Sequence, residues 1–272
     1  MAIRGVVRPL AGRVGQQLVR VNLLDTATRL AAQAFLAALP MLIAVASFSP
    51  EAVRRQLLRS LRTLFGTQGA VLAPAENLLR GGDDSLHSWG AAGVVVAVLS
   101  ATSFTRALQR LCERAWEMPH AGIRSAAWRW AVWLLVWIVN LILQGTLHRA
   151  FGAGPALGVW LQLAAAVPMW WWTQHLLLAG RVPWLPLLPG ALLTGAAAVG
   201  YGALSGLWLP HALQASVARY GTLGSVFTVL SWLIGYFTVV VAGVAAGRAA
   251  VQEEFLARRL GVDTARTPQR SP

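Results

Sequence analysis

Charge disappears from this chain for long stretches at a time. With histidine counted as neutral, no charged side chain falls between Leu30 and Pro50, Ser85 and Thr105, Trp130 and His148, Ala150 and Gly180, Val182 and Ala218, or Tyr220 and Gly247. A helix crossing the ~30 Å hydrocarbon core of a bilayer needs about 20 such residues. The pattern predicts an all-α, polytopic membrane protein. Its six transmembrane helices are expected at about 30–50, 87–105, 130–148, 156–178, 187–208 and 222–246. The segment 87–105 is rich in Ala, Ser and Thr with a short apolar centre, Val94–Leu99, so a five-span chain without it is the alternative. Pro168 marks a kink in the fourth span. Pro183, Pro186 and Pro189 are expected at the start of the fifth, and Pro210 near its exit.

The loop after the first span carries its own period. Val53, Leu57, Leu58, Leu61, Leu64 and Phe65 recur at helical spacing within Glu51–Phe65, with Arg55, Arg59 and Arg62 on another face. That predicts an amphipathic helix on the membrane surface or folded over the bundle. Gly81–Asp84 reads as a turn before the second span. The chain thus divides into a basic N-terminal segment 1–29, a membrane domain 30–248 and a C-terminal tail 249–272. The polar end of that tail, Gly261–Pro272, is expected to be disordered.

Composition supports the membrane reading. Of 272 residues, 56% are hydrophobic and 12% charged, the latter about half the ~25% of a soluble domain. A soluble enzyme and a disordered chain are both excluded on those grounds. The net charge is +13, and all 23 basic residues are arginine. Nucleic acid could attract such a charge, but the hydrophobicity assigns it to a membrane surface. Six spans with both ends inside place sixteen arginines on the cytoplasmic side and seven outside, as the positive-inside rule requires. The first loop is outside despite its five arginines, which Glu51, Glu76, Asp83 and Asp84 nearly neutralise. The N-terminus does not read as a cleaved signal peptide, so the first span is expected to direct insertion.

Candidate chemistry is sparse. Cys112 is the one cysteine, so neither an intramolecular disulfide nor a cysteine-based zinc site is expected. His87, His120, His148, His175 and His211 are scattered without metal-ligand spacing, and no acid falls within a predicted span. No catalytic group, metal or cofactor is expected. The most distinctive segment is Leu99–Met118, LSATSFTRALQRLCERAWEM. Arg106, Arg110 and Arg114 are four apart and share a helix face, with Glu113 and Glu117 beside them. The ridge can bind an anionic headgroup or a substrate phosphate. The alternative is a positive-inside anchor with ion pairs along the helix. Trp130, Trp133, Trp137 and the run Trp170–Trp172 are expected in an interfacial belt or in packing.

Small residues recur every four positions at Gly190, Thr194, Ala198, Gly202 and Gly206, and again at Gly243 and Gly247. Such faces let helix backbones approach closely. Packing inside the bundle is the expected use, and a homo-oligomer face or a sliding surface is the alternative. Pro40 leaves a backbone carbonyl unpaired in the first span, and Gln33 lies seven residues earlier. Both are candidates to face an internal cavity.

Three of these stretches together resemble the YihY/BrkB family of bacterial inner-membrane proteins, formerly mislabelled ribonuclease BN. They are Ala34–Val45 (AFLAALPMLIAV) with Pro40, the run Ser103–Arg110 followed by Arg114-Ala115-Trp116, and Tyr220-Gly221-Thr222-Leu223-Gly224 followed by Trp232 and Gly243. The resemblance covers roughly Leu23 to Glu254. It departs at Ala32 and Ala34, where the family carries tyrosines, at Ala245 in place of an acid, and at Cys112 and Glu113. It implies six spans, cytoplasmic termini and a role in moving lipid or lipid-like molecules. Together with the small-residue spacing, this gives Pro40, Gly202, Gly206, Tyr220, Gly221, Gly224, Gly243 and Gly247 as candidate packing or gating positions. The residues do not support ribonuclease activity. The expected function is binding or translocation of an amphipathic substrate, with membrane lipids as partners. A non-transporting scaffold of the cell envelope is the alternative, and an intramembrane enzyme is the least supported reading.

Overall fold

The computed structural model describes residues 12–48, 84–119 and 155–252, together with 51–52, 54–55, 58, 128–130, 132–137 and 139–140. The described residues contain helices and turns and no strand. They form α1 (12–20), α2 (Leu23–Phe48), α3 (Asp84–Ala115), α4 (the helical residues 128–130, 132–137 and 139–140), α5 (Pro155–Leu177) and α6 (Trp184–Val251). The surface helix expected at Glu51–Phe65 is helical at its described residues, which include the Glu51–Arg55 pair at 3.6 Å. The rest of it lies outside the described residues. So do His120, His148, the third expected span beyond 140 and the tail beyond Gln252.

The boundaries follow local chemistry. α2 begins at Leu23, before the uncharged run, because Asn22 adopts φ 52° and ends the helical path of α1. Asparagine tolerates the left-handed region. Asp25 then sits in the first turn, where the helix dipole favours an acid, and takes Arg29 at 3.0 Å. α3 joins the expected second span and the arginine segment in one continuous helix. It ends with Glu117 at φ 53°, while the Met118 amide donates to the Glu113 carbonyl at 2.9 Å. α5 ends the same way, with Ala179 at φ 62° and the Gly180 amide on the His175 carbonyl at 3.0 Å. Both are Schellman closures, which satisfy carbonyls left open at a helix end.

α6 is one run of 68 residues, and it is long and apolar enough to cross a membrane. It is not straight. Gly221 has φ 62° and ψ −148°, a conformation open essentially to glycine alone, and the chain doubles back there. The arms 184–220 and 222–251 lie antiparallel. A Cβ on Gly247 would overlap the backbone of Gly190, and one on Gly243 would come within 2.7 Å of Thr194 Cα. Nearer the tip, Tyr201 donates to the Trp232 carbonyl at 2.9 Å, and Trp232 Nε1 donates to Ser205 Oγ at 2.8 Å. The fifth and sixth expected segments are these two arms. The first arm does not end near Pro210. It continues to the tip, because proline interrupts only the bond to the Gly206 carbonyl while the flanking ladder holds.

Burial concentrates at one end of the bundle. Val21, Leu30, Leu108, Leu111, Leu177, Leu187, Val241 and Val244 share one core with Trp133 and Phe237. Most come from the starts of α2 and α6 and the ends of α3, α5 and α6, with Val21 from the turn before α2 and Trp133 from α4. α2 packs mainly on α3 and α6, and α5 mainly on α6. Away from that end, Val95, Leu99, Trp160, Leu204, Leu207 and Phe227 are exposed. Trp130, Trp133 and Trp170 are interior, and Trp133 and Trp137 both donate to Thr173 Oγ1 at 3.3 Å. These indoles are packing groups, and those of Trp130, Trp133 and Trp137 have satisfied N–H donors.

We expect Gly247→Ala to destabilise the protein by about 1–3 kcal/mol through overpacking. Gly202→Ala, where a Cβ meets nothing within 4 Å, should be neutral or stabilising by up to about 1 kcal/mol. Thermal unfolding in detergent measures both, and equal effects would contradict the hairpin contact.

Candidate functional site

The starts of α2 and the end of α3 pair along matching stripes. Thr26, Arg29, Leu30 and Gln33 face Ala107, Arg110, Leu111 and Arg114, each set spaced by three, one and three residues. That spacing keeps four side chains on one helical face. Between the stripes lies a cleft of about 90 Å³. Leu30 and Leu111 are fully buried and form its floor. Arg110 and Arg114 are exposed at its mouth, and Arg29 reaches it from the opposite helix. Thr26 Oγ1 is committed to the Val21 carbonyl at 2.6 Å. The Gln33 side-chain oxygen is buried without a hydrogen-bond partner.

The ridge read from sequence divides. Arg110 and Arg114 join the cleft, and the Arg110 Nε donates to the Arg106 carbonyl at 3.3 Å. Arg106 turns away, its guanidinium 5.1 Å from the Trp130 ring centroid. Arg29 is the residue that the sequence does not single out. It belongs to the N-terminal basic segment by position, and only the pairing of α2 with α3 brings it to Arg110 and Arg114. The spacing of Thr26, Arg29, Leu30 and Gln33 was the available signal.

The acids beside the ridge serve other arginines. Glu113 is 1% exposed and accepts from Arg181 NH2 and from Gln109 Nε2, each at 2.9 Å. Gln109 Oε1 in turn accepts from Trp130 Nε1 at 2.9 Å. Arg181 also donates to the Pro119 carbonyl at 2.6 Å and the Leu178 carbonyl at 3.0 Å, fastening the α5–α6 turn to the end of α3. Glu117 pairs with Arg20 of α1. Arg248 lies 4.6 Å from the Trp116 ring centroid, and burial lowers its affinity for the proton. Among the described residues, Arg110 and Arg114 have no acidic partner, so a positive field remains at the cleft.

The other candidate positions sort by contact. Gly243 and Gly247 meet the opposite arm, and Gly224 meets the Ser216 backbone at the hairpin tip. Gly221 makes the reversal itself. Gly202 and Gly206 face open space, and Tyr220 is 70% exposed at the tip. Pro40 is half-buried inside α2 and does not line the cleft, whereas Gln33 does. Among the described residues no three His, Cys, Asp or Glu side chains gather as a metal site. A scan against protein-family models and searches of curated proteins and of solved structures found no match to this chain.

Removing Arg181 takes a charge-assisted hydrogen bond from the buried Glu113 carboxylate. We expect Arg181→Ala to cost about 3 kcal/mol, the low end for a broken buried pair because Arg181 is part-exposed. Chemical unfolding measures this, and a loss near zero would contradict the clamp. Burial, then the Glu113 charge, pushes the Cys112 thiol up to about 12. The thiolate is the reactive form. Cys112 should therefore resist maleimide at neutral pH in the folded protein and react once it is unfolded.

Proposed function

We propose that this chain is a bacterial plasma-membrane protein of the YihY/BrkB type that binds or translocates an amphipathic, lipid-like substrate. It has six spans and both termini in the cytoplasm, and it is not an enzyme. The long apolar hairpin of α6 and the excess of arginine on the side assigned to the cytoplasm support the membrane placement. One observation carries the substrate class. Arg29, Arg110 and Arg114 line a single small cleft, with an apolar floor beneath them. Cationic side chains at the headgroup level attract anionic lipid by about 1 kcal/mol each.

A partner-binding scaffold is the second reading. The exposed first arm of α6 favours it, because Gly202 and Gly206 are open there beside Leu204, Leu207 and Trp208. Such a face suits docking of another helix, including one from a second copy.

Purified protein in liposomes carrying headgroup-labelled anionic and zwitterionic lipids separates the two. We expect transbilayer movement above that of empty liposomes. Arg110→Ala/Arg114→Ala should weaken substrate capture by roughly 30-fold. No movement of any lipid by folded protein, with one stoichiometric partner co-purifying, would favour the scaffold instead.

A further inference from the structure

We infer that the cleft is a headgroup seat for a lipid whose phosphate is a monoester, carrying close to two negative charges. This rests on the reading of the cleft as the site of an anionic amphiphile. Charge balance selects the headgroup. Arg29, Arg110 and Arg114 bring three positive charges, and Asp25, 3.0 Å from Arg29, returns one negative charge. The seat is thus near +2. A phosphate monoester carries about −1.5 to −2 at neutral pH. A diester brings only one charge and leaves part of the field unanswered.

The neighbouring acids decide against a zwitterionic headgroup. Glu113 is occupied by Arg181 and Glu117 by Arg20. Asp25, already held by Arg29, is the one acid beside the cleft among the described residues. An ammonium headgroup would meet guanidinium charge there.

Size and surroundings decide what the phosphate is attached to. At about 90 Å³ the cleft is far below the ~300–1,000 Å³ of pockets that enclose a whole drug-sized ligand. It fits a phosphate and leaves any tail outside. Continuing the two stripes away from the arginines, at steps of three and four residues, leads from Gln33 to Leu36 and from Ala107 through Ser103 to Leu99 and Val96. Leu36, Leu99 and Val96 are exposed. An acyl chain can lie along them, which free phosphate could not use. The fork of each guanidinium matches two phosphate oxygens. The Gln33 amide, whose oxygen is buried and unpartnered, can turn its NH₂ toward a third.

Native mass spectrometry of the purified full chain tests this. The protein is offered equal amounts of phosphatidic acid, phosphatidylglycerol and phosphatidylcholine with identical acyl chains. Bound phosphatidic acid is expected to exceed phosphatidylglycerol by about tenfold, with phosphatidylcholine lowest. Arg29→Gln, Arg110→Gln and Arg114→Gln should each reduce it about fivefold. These side chains are exposed, and circular dichroism is the check that each variant folds. Arg219→Gln, beside the hairpin tip, should change nothing. Excess inorganic phosphate should leave the phosphatidic acid adduct in place, and its complete displacement would overturn the lipid assignment. Equal, arginine-dependent binding of both anionic lipids would overturn the monoester selection while leaving the anionic-amphiphile reading intact. The absence of any arginine-dependent lipid adduct would overturn both.

Discussion

Two backbone approaches inside α6 hold the bundle in register. Gly247 lies against Gly190, and Gly243 lies against Thr194. Without a Cβ on those glycines, two long apolar arms can run side by side, and dispersion contacts accumulate along their length. The doubled arm then offers surfaces on which α2 and α5 pack. The buried core collects where the arms begin and end, because the starts of α2 and α6 and the ends of α3 and α5 meet there. Among the described residues, the opposite end holds a smaller cluster in which Leu209, Leu213 and Val229 pack with Phe35, Trp232 and Leu233.

That asymmetry sets the electrostatics. At the well-packed end the scarce acids are each bound to a particular arginine. Glu113 answers Arg181, Glu117 answers Arg20, and Asp25 answers Arg29. Glu113 is buried deeply enough that its partners, Arg181 and Gln109 among them, must stay in place, since an unpaired buried charge is costly. The acids nearest to the ridge in sequence are thereby withdrawn from it. Arg110 and Arg114 keep their field, and the cleft between α2 and α3 gains its polarity from where the acids have gone.

Much of this was legible beforehand. Long uncharged runs dictate helices, because an apolar backbone must satisfy its own hydrogen bonds. The four-residue spacing of Gly243 and Gly247 announced a close helix contact. Arg110 and Arg114 were visible as neighbours on one face, and Gln33 as a residue turned toward a cavity. Other readings required the folded chain. Gly202 and Gly206 continue the same small-residue series as Gly190 but face open space, while Tyr201 and Ser205 make the contacts to the other arm. Arg106 belongs to the ridge by spacing and to Trp130 by contact. A periodicity states which residues share a face and is silent on what that face meets.

By itself the sequence determined that this chain is helical, strongly apolar and basic, and which arginines stand four apart. These properties follow from local backbone chemistry and from the cost of placing charge in an apolar medium. The tertiary structure alone decided that Arg29 joins Arg110 and Arg114, that Glu113 is captured from across the bundle by Arg181, and which glycines are filled against a neighbour. Each of those is a contact between segments far apart in the chain. Such contacts depend on how two helices cross and in what register, which no local pattern of residue types encodes.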